Sequence, residues 1–312
     1  MTRRGRRRER EAPGPPGFLV VDKPRGWTSH DVVDAARRWL GTRRVGHLGT
    51  LDPLATGVLP LAVREATKLV PFVAAGDKAY EGSIRLGEET DTLDAEGRVL
   101  RRHAGSFPDE TALRSVLAEF VGEIDQIPPM FSAVKRGGVP LHRLAREGRV
   151  VEREPKRVRI FHFELLKYEP PDLEVAVVCS QGTYVRTLAA DVGAQLGCGA
   201  HLAGLRRTRS GPFELSQAAS VENLAGEAER GELEARVIPP VNVLGFPVLQ
   251  LTSDEERSVG HGGEITATGP LIPPGERLAA LNGAGNLLAV LEVRPGRRLK
   301  PLRVLRSLAP PG

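Results

Sequence analysis

The residue best placed to do chemistry is Asp52, the one carboxylate in "GHLGTLDPLATGVLP" (Gly46 to Pro60). Its neighbours Leu51, Leu54, Ala55, Val58 and Leu59 are apolar and imply partial burial. A buried carboxylate is costly unless it is paired or hydrogen-bonded. Burial against a specific partner is also how a functional carboxylate is made. On spacing alone, an Asp-Pro turn or a helix cap is the favoured reading. If Asp52 acts as a nucleophile or base, the chain must bring a cation to it from elsewhere.

Rival chemistries have little support. The chain has no G-x-x-x-x-G-K-[ST], no G-x-G-x-x-G opening a helix after a strand, and no G-x-S-x-G. Paired acids could hydrolyse glycosides, but no second carboxylate stands out. Asp91 and Asp94 in "TDTLD" read as hydrogen-bonders within a polar turn. Cys179 and Cys198 form no C-x-x-C and read as buried free thiols, and the seven histidines show no ligand spacing. No metal site is expected.

The elements that must position Asp52 are legible in outline. Phe18 to Val21, between Gly17 and Pro24, suits a buried strand. "TSHDVVDAARRWLG" reads as a helix capped by Thr28 or Ser29 and ended by Gly41. "KAYEGSIRLG" alternates as a strand, and "DETALRSVLAEFVGEI" reads as a helix with Leu113, Val116, Leu117, Phe120 and Val121 on one face. "LEVAVVCSQGTYVRTLAADVGAQLG" predicts a strand, a turn at Gln181–Thr183 and a helix with Tyr184 and Arg186 in its first turn. That helix start would favour anions. "IPPVNVLGFP" reads as a linker, Ser253 with Glu256 as a capping box, and Asn282–Asn286 as a hairpin turn. Strands and helices mix without βαβ regularity, so the main domain is expected to be α+β with a mixed sheet.

Charge is unevenly placed. Of the net +5, residues 1–16 contribute +4, which marks a basic, disordered N-terminal arm. Residues 126–159 gather many cations, among them Lys135, Arg136, Arg143, Arg146, Arg149, Arg153, Lys156, Arg157 and Arg159, and read as an arm that grips phosphates. No stretch is long and apolar enough to span a membrane, and no signal peptide is evident, so a cytoplasmic protein is expected.

Six stretches occur in this order: "GFLVVDKPRGWTSHDVV", "RVGHLGTLDPLATGVLPLAV", "ATKLVPF", "KAYEGSIRLGEETDTLDAEG", "QIPPMFSAVKRGG" and "CSQGTYVRTLAADVGAQLGCGAHLAGLRRTRSGPF". Together they resemble the bacterial tRNA pseudouridine synthases that act on uridine-55 of the T loop. The likeness covers about residues 17–216, and residues 246–308 loosely resemble the small PUA-type RNA-binding β-barrel of that family. The resemblance implies a catalytic domain over 17–240 and a PUA-like module over 246–308. It implies a monomer that binds the tRNA T-arm and uses neither cofactor nor metal.

The resemblance also implies roles. Asp52 is the catalytic residue, and His47 helps hold the T-loop fold. Lys23 and Pro24 shape the floor, and Tyr80 stacks on the target base. Tyr184 lies beside the substrate, Arg186 pairs with Asp52, and Leu205 lines the uracil pocket. Beside Arg186, Asp52 is expected to be firmly ionised at neutral pH. The chain departs from the family pattern at Leu48, His142 and Gln181. Two other readings are a non-catalytic RNA-binding module and a nucleoside hydrolase releasing uracil. The first has no use for a buried carboxylate facing phosphates, and the second needs a further acid to activate water.

Overall fold

The computed structural model describes residues 14–73, 76–132, 134–149, 151–268 and 272–305. Most of the basic arm expected over 1–16 therefore lies outside the described residues. The side chains of Lys135, Arg136, His142 and Arg146 do so too.

A mixed sheet forms the frame. Its strands run in the order Ala219–Ser220, Gly17–Lys23, Ala55–Val63, Ala200–Ser210, Lys78–Leu86, Asp172–Cys179, Lys156–Glu169 and Gly122–Gln126. Gly17–Lys23 pairs parallel with Ala219–Ser220, and Ala55–Val63 pairs parallel with Ala200–Ser210. The other neighbours on this path are antiparallel. The expected α+β class with a mainly antiparallel sheet is therefore met.

The apolar runs at Phe18–Val21 and Val58–Val63 are explained by burial on both faces. Leu19, Val21, Leu59 and Leu61 join a core with the helices Ser29–Trp39, Glu110–Glu119, Val185–Gln195 and Val221–Glu229. Phe18, Val20, Val58 and Ala62 face the other way into a second core. Strands buried on both faces cannot alternate with polar residues. Each such side chain contributes about 1.5–3 kcal/mol by leaving water.

The second core is shared with the C-terminal unit. Ala279, Leu287, Val290 and Leu305 belong to the same buried cluster as Phe18, Val20 and Val58. The unit is a curled five-stranded sheet in the order Val248–Gln250, Arg277–Leu281, Leu287–Arg294, Arg298–Val304, Ile265–Thr266, and it also has a core of its own around Val259, Leu278 and Leu291. "IPPVNVLGFP" is not a loose linker. Ile238 exchanges backbone hydrogen bonds with Phe18, and Leu244 is buried in the shared core.

Two local expectations shift. The capping box at the helix Ser253–Gly260 is made by Thr252 and Glu255, one residue earlier than read, because Ser253 already lies in the helix. Phe120 is the C-cap of the helix Glu110–Glu119 and still packs on the core with Val116, Leu113 and Leu117, whereas Val121 is exposed. Thr28, not Ser29, caps Ser29–Trp39, in a reciprocal box with Asp31. This leaves the Ser29 hydroxyl free for another task.

Candidate active site

That task is to hold the Asp52 loop. Ser29 Oγ accepts a hydrogen bond from Leu51 N (2.8 Å) and donates one to Leu51 O (3.0 Å). Leu51 and Leu54 bury into the core on either side of Asp52–Pro53. The carboxylate between them is therefore turned away from the core, towards a cleft. Ala55 N closes the turn on Asp52 O at 3.1 Å. The turn reading and the functional reading of Asp52 are thus compatible.

Two buried cations fasten the loop from below. Lys23 Nζ, fully buried, donates to the carbonyls of Trp27 (2.5 Å), Pro24 (3.0 Å) and Pro53 (3.4 Å). Arg207, also fully buried, donates through Nε to Val58 O (2.7 Å) and through Nη2 to Gly49 O (3.0 Å). Its strand lies so close to Ala55–Val63 that a β-carbon on Gly57 would sit 2.2 Å from Arg207 O. Gly57 also has a φ of +98°, so glycine is required there twice over.

Arg186 reaches Asp52 from across the cleft. Its Nε lies 2.9 Å from Asp52 Oδ2. The Nε–H is not aligned as a good hydrogen bond, so the contact is chiefly an ion pair. Both terminal nitrogens of the guanidinium are also engaged. Nη1 donates to Thr92 O (3.0 Å) and Asp94 Oδ2 (3.2 Å), and Nη2 donates to Phe131 O (2.9 Å). Asp94 is therefore not merely a local turn former. It is buried and pairs with Arg186 as well as accepting from Thr92 and from Glu96 N.

Arg186 starts from the helix Val185–Gln195, whose N-cap is Tyr184. No side chain caps that end locally. Gln126 does the work from the sheet edge: Tyr184 N donates to its Oε1 (2.7 Å), and its Nε2 donates to Tyr184 O (3.1 Å). The basic segment leaves the sheet at Gln126 and returns at Lys156, its register partner. Within it lie a two-stranded hairpin at Lys135–Arg136 and Val139–Pro140 and a helix, Leu141–Arg146.

The cleft has a volume of about 330 Å³, and Asp52, Tyr80, Tyr184, Arg186 and Leu205 line it together with Lys78 and Arg207. Five of the sequence-predicted residues thus converge. Lys23 lies beneath the floor as a buried strut, and His47 and Pro24 are outside the lining. His47 ends the strand Val45–His47, where Gly49 N approaches its Nδ1 at 3.4 Å. Burial and the nearby Arg207 hold its imidazole below the usual range. Sequence reasoning missed Ser29, Lys78, Asp94, Gln126 and Arg207, all polar and all buried.

Electrostatics correct one expectation. Asp52 is held above, not below, the ordinary carboxylate range. Burial is the largest cause, Arg186 opposes it, Asp94 adds to it, and Lys23 opposes it. About 40% of the side chain remains accessible, but that exposure opens into a narrow cleft walled by protein, so hydration is poor. Arg186 counters this, but the neighbouring Asp94 carboxylate offsets part of its effect. Burial also lowers Lys23 to about 8 and raises the Tyr80 and Tyr184 hydroxyls. Cys179 and Cys198 are buried free thiols, and burial pushes Cys179 up to about 11.

Among the described residues, no helix is long and apolar enough to cross a membrane.

Comparison with known proteins gives a consistent pattern. Residues 37–185 match the N-terminal domain of TruB family pseudouridylate synthases, and residues 186–244 match the tRNA pseudouridylate synthase B C-terminal domain. The chain is 45% identical over 295 residues to tRNA pseudouridine synthase B of Stutzerimonas stutzeri, covering 93% of this chain and 96% of that one. It is 44% identical over 302 residues to the protein of the same name from Geobacter sulfurreducens, covering 93% and 98%. Among solved structures, Cbf5 in a Cbf5-Nop10-Gar1 complex superposes with a TM-score of 0.70 at 27% identity, covering 93% of this chain and 85% of that one. The archaeal box H/ACA Nop10-Cbf5 complex gives 0.69 at 26%, covering 93% and 86%.

Proposed function

The chain belongs to the TruB family of pseudouridylate synthases, and from that premise we propose that it isomerises uridine-55 in the T loop of tRNA to pseudouridine, with Asp52 as the catalytic residue. The observation that carries the assignment is the 2.9 Å ion pair between Asp52 and Arg186 at the floor of a cleft lined by Tyr80, Tyr184 and Leu205.

The target base must leave the T loop to reach this floor. Unstacking costs a few kcal/mol. An aromatic face such as Tyr80 returns about 1–3 kcal/mol by stacking. Leu205 offers an apolar wall to the uracil edge. The Asp52 carboxylate then either attacks C1′ or removes the C2′ proton. In both routes the N1–C1′ bond breaks, and uracil carries the electron pair away. The base turns and C5 bonds to C1′, displacing Asp52 from C1′ in the first route and, in the second, adding to the glycal as Asp52 returns the proton to C2′. The C5 proton is then lost and N1 takes one up. Atoms and electrons balance without an external oxidant or co-substrate. Arg186 is a positioning residue: held by Asp94, Thr92 and Phe131, it fixes the carboxylate and stabilises its charge. Lys23 and His47 support the loop from outside the reacting space. The basic segment 126–159 and the C-terminal unit extend the surface offered to the tRNA arm, and the protein acts as a monomer in the cytoplasm.

The test is Asp52→Asn with an unmodified tRNA transcript. Wild type is expected to form pseudouridine, and the variant to bind tRNA without forming any. Product from the variant at the wild-type rate would remove Asp52 from the mechanism, and release of free uracil would replace isomerisation by hydrolysis.

A further inference from the structure

One wall of the cleft holds a charge that the isomerisation does not use. Lys78 is 7% exposed, yet its side chain lines the cleft, and its Nζ has no hydrogen-bond or ion-pair partner among the described residues. Beside it is the fully buried Arg207. Both converge on Gly49. An ideal β-carbon there would lie 3.4 Å from Lys78 Cε, 3.7 Å from Arg207 Nη1 and 3.9 Å from Lys78 Nζ. Any side chain at Gly49 would fill the space between the two cations. Gly49 also has a φ of +143°, which L side chains rarely adopt.

Two like charges buried side by side repel each other and are poorly hydrated. Lys78 accordingly sits below the usual lysine range, through burial first and Arg207 second. Asp77 acts on it only from a distance, and Asp52 is engaged by Arg186. Arg207 spends its donors on the loop carbonyls, so the ammonium is the group left for a ligand. The chemistry that satisfies an unpaired ammonium next to a guanidinium is an anionic oxygen.

We infer that Lys78, with Arg207 behind it and Gly49 leaving the space open, binds a backbone phosphate flanking the flipped nucleotide. The inference rests on the proposed RNA substrate. It makes Lys78 a positioning residue: stacking on Tyr80 fixes the base, and a phosphate held two residues away on the same strand face fixes the ribose over Asp52.

The test uses the full chain carrying Asp52→Asn, which prevents turnover, with and without Lys78→Met. The ligands are T-arm hairpin RNAs with a neutral methylphosphonate 5′ or 3′ to the target, and the unmodified hairpin. Loss of a charge-assisted contact should weaken binding of the unmodified RNA about tenfold or more. The slope of log affinity against log salt should shrink by about 0.7, one phosphate of single-stranded RNA. One methylphosphonate RNA should lose affinity for the Lys78 protein and lose none further with Lys78→Met. Lys78→Arg, which keeps the charge, should retain the salt slope; Lys78→Gln replaces Lys78→Met if that variant does not fold. An unchanged slope, with every RNA weakened equally, would overturn the phosphate site and point to a neutral uracil carbonyl. Pseudouridine formation by the wild-type chain on the unmodified hairpin reports separately on the proposed reaction.

Discussion

Asp94 lies 3.2 Å from Arg186 Nη1, on the opposite side of the guanidinium from the Arg186 Nε–Asp52 contact. One cation therefore serves two carboxylates, one sealed and one facing the cleft. Asp94→Asn should cost stability, because breaking a buried pair by removing one partner costs about 3–5 kcal/mol. It should also slow single-turnover pseudouridine formation by tenfold or more while RNA affinity stays within a few-fold. Loss of affinity in parallel with rate would mean that Arg186 serves to hold RNA rather than Asp52.

The raised pKa of Asp52 gives a pH prediction with a definite sign. The reaction needs the carboxylate, so the single-turnover rate should fall with decreasing pH on a limb centred above the ordinary aspartate range. Stability moves the other way. The folded state binds this proton more tightly than the unfolded state, so the contribution of Asp52 to stability is best at low pH and declines as pH rises through its folded value. Asp52→Asn should therefore be at least as stable as wild type at pH 7, and the difference should shrink on acidification. A variant markedly less stable at pH 7 would show that Arg186 outweighs desolvation.

Gly57→Ala should be among the most damaging single-methyl additions in the chain. The new carbon would meet the Arg207 carbonyl at 2.2 Å while the backbone is held at φ +98°. The conformational strain alone costs about 1–3 kcal/mol, and relieving the clash requires the two parallel strands to part. Thermal unfolding checks this; a variant within 1 °C of wild type contradicts the close approach.

Removal of the C-terminal unit after Leu244 should destabilise the catalytic domain. The cut would remove Ala279, Leu287, Val290 and Leu305 from the buried cluster that also holds Phe18, Val20 and Val58. It would also remove the Val304 carbonyl to which Lys68 Nζ donates at 3.2 Å. The truncated chain is expected to unfold at lower temperature and to aggregate. Unchanged unfolding, with only RNA affinity reduced, would restore the picture of two independent units.

How much of this was readable beforehand depends on whether the signal was local. Asp52 stood out because a carboxylate among leucines is unusual, and the demand for a cation was a physical one. Arg186 supplied it, though its assignment rested on family resemblance. The strands at Gly17–Lys23, Lys78–Leu86 and Asp172–Cys179 and the helices Ser29–Trp39, Glu110–Glu119 and Val185–Gln195 followed from apolar periodicity and end signals, whereas Ala55–Val63, Ala200–Ser210 and Lys156–Glu169 did not. Asp94, Gln126 and Arg207 were not readable, since each looks like an ordinary surface residue until strand register places it: Arg207 opposite Gly57, Gln126 opposite Lys156. The firmness of Asp52 ionisation was misjudged for the same reason. A pairwise view counts Arg186 in full, whereas the fold divides it with Asp94.

The route of the basic segment carries one more implication. Gln126, at its departure point, clamps the backbone of Tyr184, and Phe131, five residues on, accepts from Arg186. The first stretch of the segment is thereby stitched to the head of the helix Val185–Gln195. It cannot be peeled back without stranding the Tyr184 amide and one guanidinium nitrogen. A displacement of this stretch would consequently reach the carboxylate through Tyr184 and Arg186, so the position of the segment and the alignment of Asp52 are tied together.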